Sequence, residues 1–132
     1  MPGATTGSQD LNARCQAANK EKVDYFISLH NNCYDDPAAN GVEVLAYSKS
    51  CKNSIALAEA IQDRLVKDTG MFDRGIKFRN DLCVLRETTM DACLVEMGFL
   101  SNKADSDKLK SAGYTDLLAK SIYNGIMAFL AR

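Results

Sequence analysis

The chain has 132 residues, which suits a single domain of ordinary size. Hydrophobic residues make up 46% of it and charged residues 25%, the balance of a globular protein rather than a disordered or low-complexity one. Sixteen basic residues against seventeen acidic ones give a net charge of −1, so no basic excess is present to attract nucleic acid. No apolar run approaches the roughly 20 residues that cross a bilayer, and we expect no membrane span.

Residues 1–9 are small and polar, and they predict a flexible terminus before one domain over residues 10–132. The start has no basic stretch followed by an apolar core, so we expect no secretory signal peptide and synthesis in the cytoplasm. The five cysteines include no CxxC pair, which argues against a zinc finger or a thioredoxin-type site. Cys83 and Cys93 lie in apolar runs, which favours small buried side chains in a reducing compartment.

Hydrophobic periodicity predicts alternating helices and strands in the first half of the domain. A short amphipathic helix over residues 10–22 precedes a buried strand over 23–29, which is rich in β-branched and aromatic residues. A second strand is predicted over 42–47. The segment 54–67 places its apolar residues on one helical face, and Gly70 is expected to end that helix.

The second half continues the alternation. Arg74-Gly75 falls in a predicted loop, and the short apolar runs 82–85 and 93–96 read as buried strands. Residues 98–107 are polar and predict a loop, whereas apolar residues from about 115 onward recur at helical spacing. The order of elements predicts an α/β domain in three layers, with a mostly parallel sheet flanked by helices.

Two polar residues stand where ligands bind in such folds, at the carboxyl ends of strands. His30, the only histidine, follows the first predicted strand, and Glu96 ends the run CLVE. An imidazole can hold zinc or carry a proton, and a carboxylate at such a place can act as a general base. We therefore expect His30 and Glu96 to face one crevice.

Each of these residues also has a structural interpretation. His30 can serve as a hydrogen-bonding residue of a loop, and Glu96 can form a salt bridge with Arg86. Asn31 and Asn32 are ordinary turn formers. Cys33, three residues after His30, could join a metal site only weakly. The residues taken alone leave both interpretations open.

Five blocks of the sequence carry a more specific signal. In chain order they resemble the conserved blocks of the zinc-dependent N-acetylmuramoyl-L-alanine amidases that cleave peptidoglycan. The blocks are ANKEKVDYFISLHNN (18–32), GVEV (41–44), DRGIK (73–77), LCVLR (82–86) and CLVEMGFLSN (93–102).

The resemblance implies an activity and roles for single residues. Members of the family hydrolyse the amide between N-acetylmuramic acid and the L-alanine of the stem peptide, with one Zn²⁺ ion. Carried onto this chain, His30 is a zinc ligand and Glu96 is the catalytic acid and base. Asn32 and Arg86 are candidates for positioning the substrate. The implied partners are peptidoglycan and muropeptides, and the implied place of action is the cell wall, in phage lysis or sporulation.

The chain departs from the family pattern at its start. The family's first strand, which supplies another histidine ligand, and the following helix, which supplies a glutamate ligand, have no counterpart. We therefore expect an incomplete zinc site and an exposed sheet edge, with self-association or a missing N-terminal portion as a partner. A fragment of an amidase is the favoured interpretation; one piece of a split enzyme is another. The alternative is a non-catalytic relative that binds wall fragments or a partner chain.

Overall fold

The computed structural model describes residues 7–132, except for the side chain of Ser8. Strands and helices alternate along the chain, so the predicted α/β class is confirmed. In order, the elements are α1 (Gly7–Glu21), β1 (Tyr25–Asn32), β2 (Val42–Ala46), α2 (Lys52–Thr69), β3 (Asp73–Phe78), α3 (Cys83–Arg86), β4 (Asp91–Phe99), α4 (Lys103–Lys110) and α5 (Tyr114–Leu130).

The strands form one sheet in the order β1-β4-β2-β3. The pairs β1–β4 and β2–β3 are parallel, as predicted, whereas β2 and β4 run antiparallel. This mixed sheet brings the start of β2 beside the end of β4. Within residues 7–132, β1 pairs with β4 alone, and so it lies at an edge of the sheet.

Helices cover both faces of the sheet, which confirms the three layers. On one face α2 and α5 bury the larger core, which includes Ile61, Val95 and Phe129. On the other face α1 and α3 enclose a smaller cluster that includes Cys15 and Leu94. Among residues 7–132, no helix is both long and apolar enough to span a membrane.

Three segments differ from the prediction because hydrogen bonds outweigh the local pattern. Arg74 and Gly75, expected to lie in a loop, belong to strand β3, which pairs with β2. The apolar run 82–85 leads into the short helix α3 (Cys83–Arg86) instead of a strand, because a short apolar run also fits one helical turn. The backbone N–H of Arg86 accordingly donates to the carbonyl of Leu82 at 2.9 Å.

The predicted loop 98–107 is also largely ordered. Strand β4 continues to Phe99, and helix α4 follows over Lys103–Lys110. The side chain of Asn102 accepts a hydrogen bond from the N–H of Asp105 at 3.0 Å, which caps the start of α4. At the other end of the chain, α1 begins at Gly7, so residues 7–9 belong to a helix. Residues 1–6 of the predicted terminus lie outside the described residues.

Candidate active site

Strand pairing places three ionisable residues in one row across the sheet. His30 of β1 lies opposite Glu96 of β4, and Glu96 lies opposite Glu43 of β2. Neighbouring strands are about 4.8 Å apart, so each side chain of the row lies beside the next. Side chains alternate between the faces of a strand, and Leu45 and Leu94 belong to the cluster under α1 and α3. The row therefore lies on that same face.

The structure thus brings His30 and Glu96 together, as the sequence analysis expected. The two residues lie at the same end of the sheet because β1 and β4 are parallel and paired in register from Tyr25 to His30. The pairing shifts between His30 and Asn32, beside Gly98. Gly98 has φ +148°, a conformation that residues with a side chain rarely adopt. This irregular stretch ends the regular pairing just beyond the row.

Glu96 is the carboxyl group at the centre of the row. Its Oε2 atom is buried and has no hydrogen-bond partner within residues 7–132. Burial, and secondly the charge of Glu43, raise the pKa of Glu96 to about 7. A carboxyl group with this pKa can both accept and donate a proton near neutral pH.

Glu43 is the member of the row that sequence reasoning did not single out. It is buried, and both of its oxygens are occupied. Oε1 accepts a hydrogen bond from Asn32 Nδ2 at 3.1 Å, and Oε2 lies 3.3 Å from Arg74 Nε. The Arg74 guanidinium also stacks 4.8 Å from the centre of the Phe99 ring. The available signal was a carboxylate between two buried valines in the strand VEVLA.

The other candidate residues separate into those beside the row and those away from it. Asn32 lies beside it through its bond to Glu43. His30 Nε2 makes a 2.8 Å hydrogen bond with Ser28 Oγ, two residues earlier on the same face. Cys33 is exposed, and its backbone N–H donates to Asn32 Oδ1.

Arg86 is not brought to the row. It lines a groove with Asp91 and Ala92, at the opposite end of β4 and roughly 13 Å along the strand from Glu96. Its Nε atom pairs instead with Glu87 Oε1 at 2.7 Å. The salt bridge between Arg86 and Glu96 considered from sequence is therefore not formed. The pairing of Arg86 with its chain neighbour could not be seen from spacing alone.

The described residues do not by themselves form a zinc site. Within residues 7–132, no group of three or more His, Cys, Asp or Glu side chains is arranged to hold a metal ion. Both oxygens of Glu43 are already paired, and His30 Nε2 is bonded to Ser28 Oγ. The available donors are therefore His30 Nδ1 and the unpartnered oxygen of Glu96. Protein zinc sites normally use three or four ligands, so two donors are too few.

Comparison with known proteins identifies the domain around this row. The sequence model of the Amidase_3 family, described as N-acetylmuramoyl-L-alanine amidase, matches residues 3–128. The chain belongs to this family. The resemblance found in the sequence is thereby confirmed, and the family is generally zinc-dependent.

The chain is similar in sequence to two curated proteins and in structure to a solved amidase. N-acetylmuramoyl-L-alanine amidase LytC of Bacillus subtilis is 35% identical over 90% of this chain and 24% of LytC. The endolysin of Bacillus phage SPP1 is 35% identical over 92% of this chain and 45% of the endolysin. The crystal structure of an N-acetylmuramoyl-L-alanine amidase from Clostridium difficile 630 superposes with a TM-score of 0.87 at 34% identity. That match covers 92% of this chain and 65% of the other. The chain thus spans a quarter to a half of these two curated relatives.

Proposed function

We propose that this chain forms the part of a peptidoglycan amidase that carries the catalytic glutamate. The reaction is hydrolysis of the amide between N-acetylmuramic acid and the L-alanine of the stem peptide, at the cell wall. One observation carries the proposal. Glu96, in a chain of the amidase family, lies in strand β4 with a buried carboxyl oxygen that has no partner within residues 7–132. Burial of an unpaired carboxyl group costs stability, and function is a reason to keep it.

Glu96 has the role of general base and then general acid in this proposal. It takes a proton from the water that attacks the amide carbonyl, and gives that proton to the L-alanine nitrogen as the C–N bond breaks. Its raised pKa suits both steps near neutral pH. Glu43 is less suited, since both its oxygens are occupied, but its charge supports the raised pKa of Glu96. Asn32, which bonds Glu43 beside the row, is proposed to position the substrate.

His30 is proposed as one ligand of the family's zinc ion. The remaining ligands then come from polypeptide outside the described residues. The edge of the sheet is a suitable place for that polypeptide to join. Within residues 7–132 strand β1 has no neighbour on its outer side, and Leu29 on this strand is 52% exposed. We propose that a further strand of the amidase domain pairs here, in preference to a second copy of this chain.

A chimera tests these proposals. The N-terminal strand and helix of another amidase of the family, which supply the further zinc ligands in the family pattern, are fused ahead of the complete 132-residue chain. We expect one zinc per chain by elemental analysis, and release of new amino groups from purified peptidoglycan. Glu96→Gln should abolish the release while leaving zinc bound, and His30→Ala should lower the zinc content. Arg86→Ala is the matched control, because it removes a charged side chain at the other end of the sheet.

The outcomes separate the competing functions. Full hydrolysis by the Glu96→Gln chimera would show that Glu96 has been given the wrong role. A chimera that binds zinc and peptidoglycan but does not hydrolyse it would favour the non-catalytic relative. Full hydrolysis by the 132-residue chain without its added portion would contradict the need for a further strand. Gel filtration that finds a stable dimer joined through β1 would favour self-association at the edge.

A further inference from the structure

One face of α1 is held against the segment from α3 to β4 at three successive positions. Asn12, Cys15 and Asn19 are three and four residues apart, so they share that face. The thiol of Cys83 donates to Asn12 Oδ1 at 3.4 Å. About two turns beyond Asn12, the amide of Asn19 donates to the carbonyl of Glu87 at 2.8 Å and accepts from the N–H of Thr89 at 2.9 Å. These contacts fix the register of α1 against the segment.

Cys15 and Cys83 face each other at the middle of this contact. The thiol of Cys15 lies 3.6 Å from the carbonyl oxygen of Cys83, although the two residues are 68 positions apart in sequence. Both thiols are free. Cys15 is 2% exposed, whereas Cys83 is only half-buried. A reagent from solvent therefore reaches Cys83 first, and Cys15 lies immediately behind it.

The pKa of Cys15 also indicates that Cys83 reacts before Cys15. Burial, and next the neighbouring thiol of Cys83, raise the pKa of Cys15 to about 11. Thiolates rather than thiols attack disulfides, so Cys15 is the slower of the two toward an external reagent. Once Cys83 carries a mixed disulfide, however, Cys15 attacks the Cys83 sulfur within the same molecule, where its effective concentration is high.

We propose that Cys15 and Cys83 form a reversible disulfide that fastens α1 to α3, with a low-molecular-weight disulfide as oxidant. The Cys83 thiolate attacks one sulfur of the oxidant, the oxidant's S–S bond breaks, and one small thiolate leaves. The Cys15 thiolate then attacks the Cys83 sulfur and displaces the second small thiolate. The two cysteines lose two electrons and two protons, and the oxidant gains them as two small thiols.

The remaining cysteines are poorly placed for the same reaction. Cys93 is fully buried in the core under α2 and α5, and burial raises its pKa to about 12. Cys33 is exposed on the loop after β1, and Cys51 lies 3.5 Å from Ser48 Oγ before α2. Among the residues described, Cys15 and Cys83 are the cysteines of two different elements that contact each other, through the Cys15 thiol and the Cys83 carbonyl oxygen.

The disulfide would stabilise an element with few other attachments. Helix α1 packs chiefly against α3. A bond across a sequence separation of 68 residues removes conformational freedom from the unfolded chain, and such long loops give large effects. In a compartment rich in reduced glutathione the pair stays open, and in an oxidising compartment it closes. Whether α1 is covalently attached to α3 would then depend on the redox state of the compartment.

The test uses the full 132-residue chain with Cys33→Ser and Cys51→Ser, so that Cys15, Cys83 and Cys93 remain. The chain is equilibrated with oxidised glutathione at pH 8 and digested without reduction. We expect mass spectrometry to find the peptides of Cys15 and Cys83 joined, and two free thiols lost from each chain. The melting temperature should rise by about 10 °C, and dithiothreitol should reverse the rise. The matched control adds Cys83→Ser, which should lose no thiol and show no rise.

Two results would overturn the proposal. One is a glutathione adduct that accumulates on Cys83 without transfer to Cys15. The other is a crosslink between chains in place of the internal bond. A melting temperature that falls on closure would show that the disulfide forms but does not fasten α1, which also contradicts the proposal.

Discussion

Gly125 offers a sharp test of how α2 and α5 pack. Helix propensity alone predicts that Gly125→Ala stabilises α5 by about 1 kcal/mol. The tertiary contact predicts the opposite. A Cβ atom at Gly125 would lie 2.7 Å from Ile61 Cα and 2.9 Å from the carbonyl oxygen of Ala60.

The contact should outweigh the propensity because backbone atoms of α2 cannot rotate away. One helix must shift, and Ile61 and Phe129 in the shared core must then repack. Overpacking of a core typically costs about 1–3 kcal/mol, and displacement of backbone falls at the upper end. After the propensity gain of about 1 kcal/mol, we expect a net loss of about 2 kcal/mol in the free energy of unfolding.

Urea unfolding followed by circular dichroism measures this loss on the full chain. With a slope of about 2 kcal/mol per molar urea, the midpoint of Gly125→Ala should fall by about 1 M. Asn124→Ala, one position earlier on α5, is the control and should leave the midpoint unchanged or slightly higher. If Gly125→Ala unfolds at the same or a higher urea concentration than the parent, the close approach of α5 to Ile61 is wrong.

Three further predictions concern the row and its surroundings. Glu96→Gln should stabilise the chain by about 3 kcal/mol at pH 8 and hardly at all at pH 4. The reason is that folding raises the pKa of Glu96 from its usual 4.5 to about 7, so the free energy of unfolding falls as the pH rises from 4.5 to 7 and stays low above that. Urea midpoints at both pH values measure the effect, and identical pH dependence in parent and variant would contradict it. Asp105→Ala should cost about 3 kcal/mol, because Asp105 Oδ2 accepts the backbone N–H groups of Gly41 and Phe99 at 2.9 and 3.0 Å. The same unfolding assay applies, with the exposed Asp107→Ala as control, and a loss equal to that control would refute the argument. In the active chimera, Asn32→Ala should lower hydrolysis about tenfold through loss of its bond to Glu43, while Arg86→Ala changes it less than twofold. Equal effects of the two substitutions would show that Asn32 has no role in the site.

Some features of the fold could be predicted because they depend on neighbours in sequence. Helical and strand periodicity are local, so α2, α5 and the strands that contain His30 and Glu96 were evident. The left-handed conformation of Gly70 ends α2 as expected, because glycine tolerates it without strain. The family resemblance was also readable, since its blocks are short and contiguous.

Other features depend on pairing between distant segments. Strand β3 forms because its backbone pairs with β2. The run 82–85 leads into a helix, although its composition equally suits a strand. Glu43 joined the row only because β2 runs antiparallel to β4, which places its start beside the end of β4.

The sequence by itself therefore determined the α/β class and the amidase family, and it singled out His30 and Glu96 as candidate site residues, because each of these conclusions depends on residues close together in the chain. Only the tertiary structure decided that Glu43 completes the row, that Arg86 lies at the far end of the sheet, and that Cys15 faces Cys83. The physical reason is that strand order, strand direction and helix register are set by contacts between residues tens of positions apart. Those contacts fix the surroundings, and hence the pKa, of each side chain.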